Sequence, residues 1–121
     1  MKPFNLDERM IDFSVKVIRI TENLQKSNSG LYFSDQIMRS VSSSVLNYSE
    51  AQSAESRKDF IHKVKVSLKE LRETYSGLRI IERLNKSPNE DLSQLIKENN
   101  ELISILVKSI KTARENMNSS K

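Results

Sequence analysis

Apolar residues along this chain recur every three or four positions, with polar residues between them. Met10, Phe13, Val17, Ile20 and Leu24 trace one face of a helix over about residues 7–26. "KSNSG", residues 26–30, follows as a stop, with Gly30 placed to take the left-handed cap conformation. Ser34 then reads as an N-cap, and Ile37, Val41, Val45 and Tyr48 carry the same spacing through a second helix, about 34–52. Ser53 or Ser56 caps a third, about 56–85, whose apolar face runs through Phe60, Val64, Leu68, Leu71, Leu78 and Ile81. Gly77 lies inside it, at a propensity cost of about 1 kcal/mol relative to alanine. Pro88, with Glu90 and Asp91 beside it, suits the first turn of a fourth helix, about 88–116. There Leu92, Leu95, Asn99, Leu102, Leu106, Ser109 and Ala113 step in heptad fashion, and the terminal "NMNSSK" is expected to fray. Four amphipathic segments with short connections and no strand pattern predict an all-α fold. Its expected form is an antiparallel up-down-up-down four-helix bundle, one domain over residues 1–121.

Composition narrows the chemistry. The 121 residues include no cysteine and one histidine, which excludes disulfides and thiol catalysis and leaves zinc only His62 and carboxylates. His62, within "FIHKVK", sits on an ordinary helix flank. No glycine-rich phosphate loop, nucleophile elbow or HExxH pattern is present, so neither an enzyme nor a cofactor is expected. No apolar run approaches the ~20 residues of a membrane span, and a cytoplasmic setting is expected. The net charge of +4 is compatible with an anionic partner without requiring one.

Two patterns stand out against this background. The run "RSVSSSVLNYSEAQSAES", residues 39–56, has the composition of a loop but the stepping of a helix. Gln36, Ser40, Ser43, Asn47 and Glu50 fall on one stripe, small or polar throughout and free of lysine and arginine. That seam either faces water or admits a neighbouring helix at close approach. In the second case Ser43, Asn47 and Glu50 are expected to be buried between helices or between subunits.

The third helix carries the other pattern. Lys58, Lys65, Arg72, Arg79 and Lys86 recur at intervals of seven, with Lys69 and Arg83 beside them, while Glu55, Asp59, Glu70 and Glu73 fall on the opposite flank. Three readings are open: charges that merely border the core stripe, a basic stripe for the phosphates of a nucleic acid, or plus and minus flanks that pair between subunits. Few aromatic residues accompany the stripe, which weighs against base stacking on single strands.

Residues 34–74 resemble a bacterial four-helix bundle family encoded in intervening sequences of 23S ribosomal RNA genes. The resemblance rests on Gln36 and Ile37, on Asn47 and Glu50 followed by Ala51, on Ser56 with Phe60, and on Ser67, Leu68 and Glu70. Ala51 stands where many members have glycine, and Val45 where many have proline. The resemblance implies an antiparallel bundle that assembles as a homopentamer, without established enzymatic activity. It also implies kinship with a basic pentameric accessory protein of diversity-generating retroelements, which associates with a reverse transcriptase and nucleic acid. The expected partners are therefore further copies of this chain and RNA or another nucleic acid. An alternative is a scaffold for self-assembly or protein binding that takes no nucleic acid. On the family motif, Gln36, Ser43, Asn47, Glu50, Ser67 and Glu70 would be structural or interface residues.

Overall fold

The computed structural model describes residues 5–24, 27–84 and 89–119. Among these lie four helices and no strand: α1 (Leu6–Glu22), α2 (Asn28–Ala51), α3 (Arg57–Leu84) and α4 (Glu90–Ser119). Side-chain oxygens start each of them. Asn5 accepts from Glu8 N at 3.1 Å, Ser27 from Gly30 N at 3.0 Å, Ser56 from Asp59 N at 3.0 Å and Asn89 from Leu92 N at 3.0 Å.

Helix α2 begins six residues before the expected Ser34, because Ser27 supplies the cap. Ser34 is instead fully buried, and its Oγ donates to the Thr21 carbonyl at 3.0 Å. Gly30 is also not a left-handed cap, since no described glycine has positive φ. It lies in the first turn of α2 because the chain passes so close there that a Cβ would stand 1.8 Å from the Leu24 carbonyl oxygen. At the other end α4 continues to Ser119, past the expected fraying point, and with Asn89 as cap its first helical residue is Glu90. Pro88 and Lys86 lie outside the described residues.

The helices pack as a square, α1 on α2, α2 on α3, α3 on α4 and α4 most sparingly on α1, with no packing across either diagonal among the described residues. Early residues of one helix meet late residues of the next. Ser34 meets Thr21, and Ser49 Oγ donates to Asp7 Oδ1 at 2.9 Å, so α1 and α2 run in opposite directions. In the same way Ser40 meets Thr74, Ser44 meets Ser67 and Glu50 meets Lys63 across α2 and α3. Arg57 Nη1 donates to Asn116 O at 2.7 Å, at the end where α3 starts and α4 finishes. The apolar stripes turn inward around Met10, Val17, Val41, Val64, Leu71, Leu78, Leu102 and Leu106, all excluded from solvent.

Helices α2 and α3 make the closest approach. Ser67 Oγ donates to the Ser44 carbonyl at 2.7 Å while Ser44 Oγ donates to the Ser67 carbonyl at 3.0 Å. Ser40 and Thr74 share a hydroxyl contact of 2.7 Å one step along. Gly77 continues the line: a Cβ there would sit 2.7 Å from Ile37 Cγ1, so its helix propensity is given up to let Ile37 seat against α3. Every hydroxyl in this seam has a partner, so its burial costs little. Charges close the rim. Lys63 Nζ donates to Glu50 Oε2 at 2.6 Å, and Arg39 of α2 forks onto Glu70 and Glu73 of α3.

Asn99 fills the corresponding place between α3 and α4. It is fully buried, and in the amide orientation that satisfies both groups it donates to Leu71 O and accepts from Tyr75 N, each at 3.1 Å. Between α1 and α4 the link is charged. Arg9 forks onto Glu98 at 2.7 and 2.8 Å and reaches Glu101 at 2.8 Å.

The stabilities of three variants check this account of the α2–α3 seam. Ser44→Leu is expected to cost about 1–3 kcal/mol in urea unfolding, because it overpacks a position where hydroxyl and backbone touch. Ser43→Leu, one residue along and half-buried, is expected to change stability by no more than about 0.5 kcal/mol. Arg39→Ala removes only solvent-screened rim pairs and should leave the urea midpoint close to that of wild type.

Candidate nucleic-acid interface

The seven-residue spacing of basic residues on α3 holds them close to one flank, and that flank faces α4. Lys65, Lys69 and Arg72 line a groove of about 590 Å3 between the two helices. The antiparallel run of α4 brings Lys111 and Arg114 to its opposite wall, with Glu115 and Asn118 beyond. Its floor is apolar: Leu68 and Ile110 are buried, and Val107 is partly open to solvent. Five cations thus face one carboxylate across a concave surface.

The other described members of the stripe, Lys58, Arg79 and Arg83, are exposed but stand outside the groove. Lys58 lies two turns toward the start of α3, and Arg83 lies in its last turn. Arg79 is placed 5.5 Å from the ring centre of Tyr75, a cation–π arrangement that fixes the guanidinium along the flank. Lys86 falls among the residues not described.

The opposite flank of α3 explains why this one stays positive. Helix α3 holds eight cations against four carboxylates. Two of those four, Glu70 and Glu73, point to α2 and are held by Arg39, so they do not neutralise the groove. Glu50 of α2 likewise accepts from Lys63 on the far side of α3, and this hydrogen bond holds the Lys63 ammonium above its usual range.

The small and polar residues of α2 divide between seam and surface, and the motif residues Gln36, Ser43, Asn47 and Glu50 fall outside the seam. Ser40 and Ser44, with Ser67 of α3, carry the close approach. Ser43 is half-buried, Glu50 is exposed, and Asn47, also half-buried, donates to the Ser43 carbonyl at 2.9 Å and to Ser43 Oγ at 3.2 Å. Within one chain, therefore, helix–helix burial falls on Ser40 and Ser44 and does not extend to Ser43, Asn47 and Glu50 as a set. The cause is angular: Ser44 lies about 100° round the helix from Ser43, which turns Ser44 toward α3 and Ser43 toward the surface. Gln36 is half-buried at the same border. Glu70, half-buried, has Arg39 as its partner.

Lys111 and Arg114 are the groove residues that the single-helix pattern does not single out. They step by three on α4, as one face of a helix requires, but only the pairing of α4 with α3 shows which wall they join.

The comparisons with known proteins agree with this architecture. The sequence matches the family model described as 23S rRNA-intervening sequence protein over residues 4–108. A crystal structure of a protein with unknown function from the S23 ribosomal protein family of Bacteroides thetaiotaomicron VPI-5482 superposes with a TM-score of 0.79 at 30% sequence identity. The superposition covers 88% of this chain and 99% of that one. No curated protein matches the chain. With the match spanning α1, α2, α3 and α4 as far as residue 108, this chain belongs to the 23S rRNA-intervening sequence protein family.

Proposed function

We propose that this protein is a non-enzymatic, homo-oligomeric four-helix bundle of the cytoplasm, a ring of five on the family resemblance, whose α3–α4 groove binds RNA through its phosphates. The observation that carries the reading is the convergence of Lys65, Lys69, Arg72, Lys111 and Arg114 on one concave surface with a single opposing carboxylate. Cations gathered in this way release condensed counterions when they engage a phosphate backbone, which supplies sequence-independent affinity. The apolar floor of Leu68, Val107 and Ile110 gives ribose and base faces a surface to cover.

The non-enzymatic part of the reading is supported by how the polar motif residues are spent. Asn47 bonds to its own helix, Glu50 to Lys63 and Glu70 to Arg39, so each already has a structural partner. A second reading, a protein-interaction scaffold, draws on that same apolar floor. An acidic amphipathic helix would satisfy both the floor and the cations.

Fluorescence anisotropy with a short single-stranded RNA across a salt series separates the two. RNA binding is expected to weaken with a log–log slope of about −0.7 for each cation engaged. Lys65→Glu with Arg72→Glu, and separately Lys111→Glu with Arg114→Glu, should each lower affinity at least about tenfold and flatten the slope. Lys58→Glu, outside the groove, should change little. Weak binding with no salt slope, or an affinity indifferent to both double reversals, would leave the scaffold reading in possession of the groove.

A further inference from the structure

The cations of the α3–α4 groove end at Arg72 on the α3 side, but the line of its floor continues. Tyr75 follows Leu68 by seven residues, which returns to the same side of α3 two turns on. Its ring is half-buried, and the Arg79 guanidinium lies over it, 5.5 Å from its centre. Arg79 is itself exposed and forms no ion pair among the described residues. The ring backs the guanidinium on one side, and solvent reaches it from the other.

Helix α4 changes character at the same level. From Arg114 and Lys111 past Val107, its outer line continues through Ser104 and Asn100 at intervals of three and four, and both are exposed. Asn99 accepts from Tyr75 N, which sets Asn100 at the level of Tyr75. The two helices therefore present a cationic stretch followed by one where α4 is uncharged and α3 offers a guanidinium backed by a ring.

We propose that the groove takes single-stranded RNA in particular, with one base stacked on Arg79 while Lys65, Lys69, Arg72, Lys111 and Arg114 hold the phosphates. This deepens the RNA reading above and rests on it. A phosphate is served by the point charge of a lysine, whereas a guanidinium adds a planar, weakly hydrated face. Such a face, like an aromatic ring, is a surface on which an unpaired base stacks. In a duplex the bases are paired and stacked on each other, so it is a single strand that can turn one out at little cost. Arg72 and Arg79 stand about 10 Å apart along the helix axis, which brings phosphate and base contacts within one short run of strand. The scarcity of aromatic residues along the stripe confines the stacking to this one place.

Anisotropy with a single-stranded oligoadenylate, and with the same strand paired to oligouridylate, tests this. Arg79→Lys keeps the charge and removes the plane. It is expected to weaken single-strand binding about fivefold or more, with the salt slope unchanged and duplex binding unaffected. Tyr75→Leu should act in the same way by removing the backing, and Tyr75→Phe, which keeps the ring, should bind as wild type, with circular dichroism confirming that all three variants keep their helices. Wild-type affinity of Arg79→Lys for the single strand, or an equal loss on the duplex, would overturn the stacking while a retained salt slope leaves the phosphate groove standing. A wild type with no salt slope on either RNA would overturn both.

Discussion

The reciprocal serine pair between α2 and α3 is the constraint on which the rest of this bundle depends. Two helices can approach this closely only where side chains are small, and small side chains bury little apolar area. Ser44 and Ser67 resolve the conflict by turning each hydroxyl onto the other helix's backbone, so that polarity supplies what apolar area cannot. Ser40 with Thr74 and Gly77 with Ile37 extend the approach over more than two turns of α3. Once α2 and α3 are locked in register, α1 and α4 have their places set. Ser34 and Ser49 hold α1 to α2, Asn99 holds α4 to α3, and the α1–α4 side closes last with charged contacts.

That register also sorts charge. Arg39 stands where it can reach Glu70 and Glu73 only because α2 lies tightly along α3. Two carboxylates drawn toward α2 leave the other flank of α3 with little to neutralise it. The α3–α4 groove is positive partly because of what happens on the far side of the helix. A looser α2 would leave those carboxylates free in solvent, where they would screen the cations across a distance comparable with the Debye length.

Much of this was legible in the chain itself. The three-and-four spacing located all four helices and most of the core, including Asn99 at a heptad position, because burial on one helix face imposes that spacing directly. The start of α2 was misplaced because both Ser27 and Ser34 can cap a helix. Only the packing of Ser34 against Thr21 shows that its hydroxyl is used sideways. The serine-rich stretch was correctly read as helical, and a close approach there was one of its two open readings. The residue carrying it shifted by one, from Ser43 to Ser44, since a stripe read by steps of three and four does not show which of two adjacent stripes faces the neighbour. On the basic side Lys65, Lys69 and Arg72 were found from spacing on a single helix. Lys111 and Arg114 were not, because their relation to α3 is tertiary.

The two sides of α2 show how far the use of small residues goes. Toward α3 its serines are buried and bonded, and toward solvent Ser42 and Ser43 lie between Met38 and Leu46. A helix that only covered a core would carry lysine or glutamate there, as α3 and α4 do on their outer faces. Its three charged residues in 24 contrast with twelve in the 28 of α3. One helix therefore concentrates the uncharged surface and its neighbour the cationic surface, while the bundle holds them on different sides.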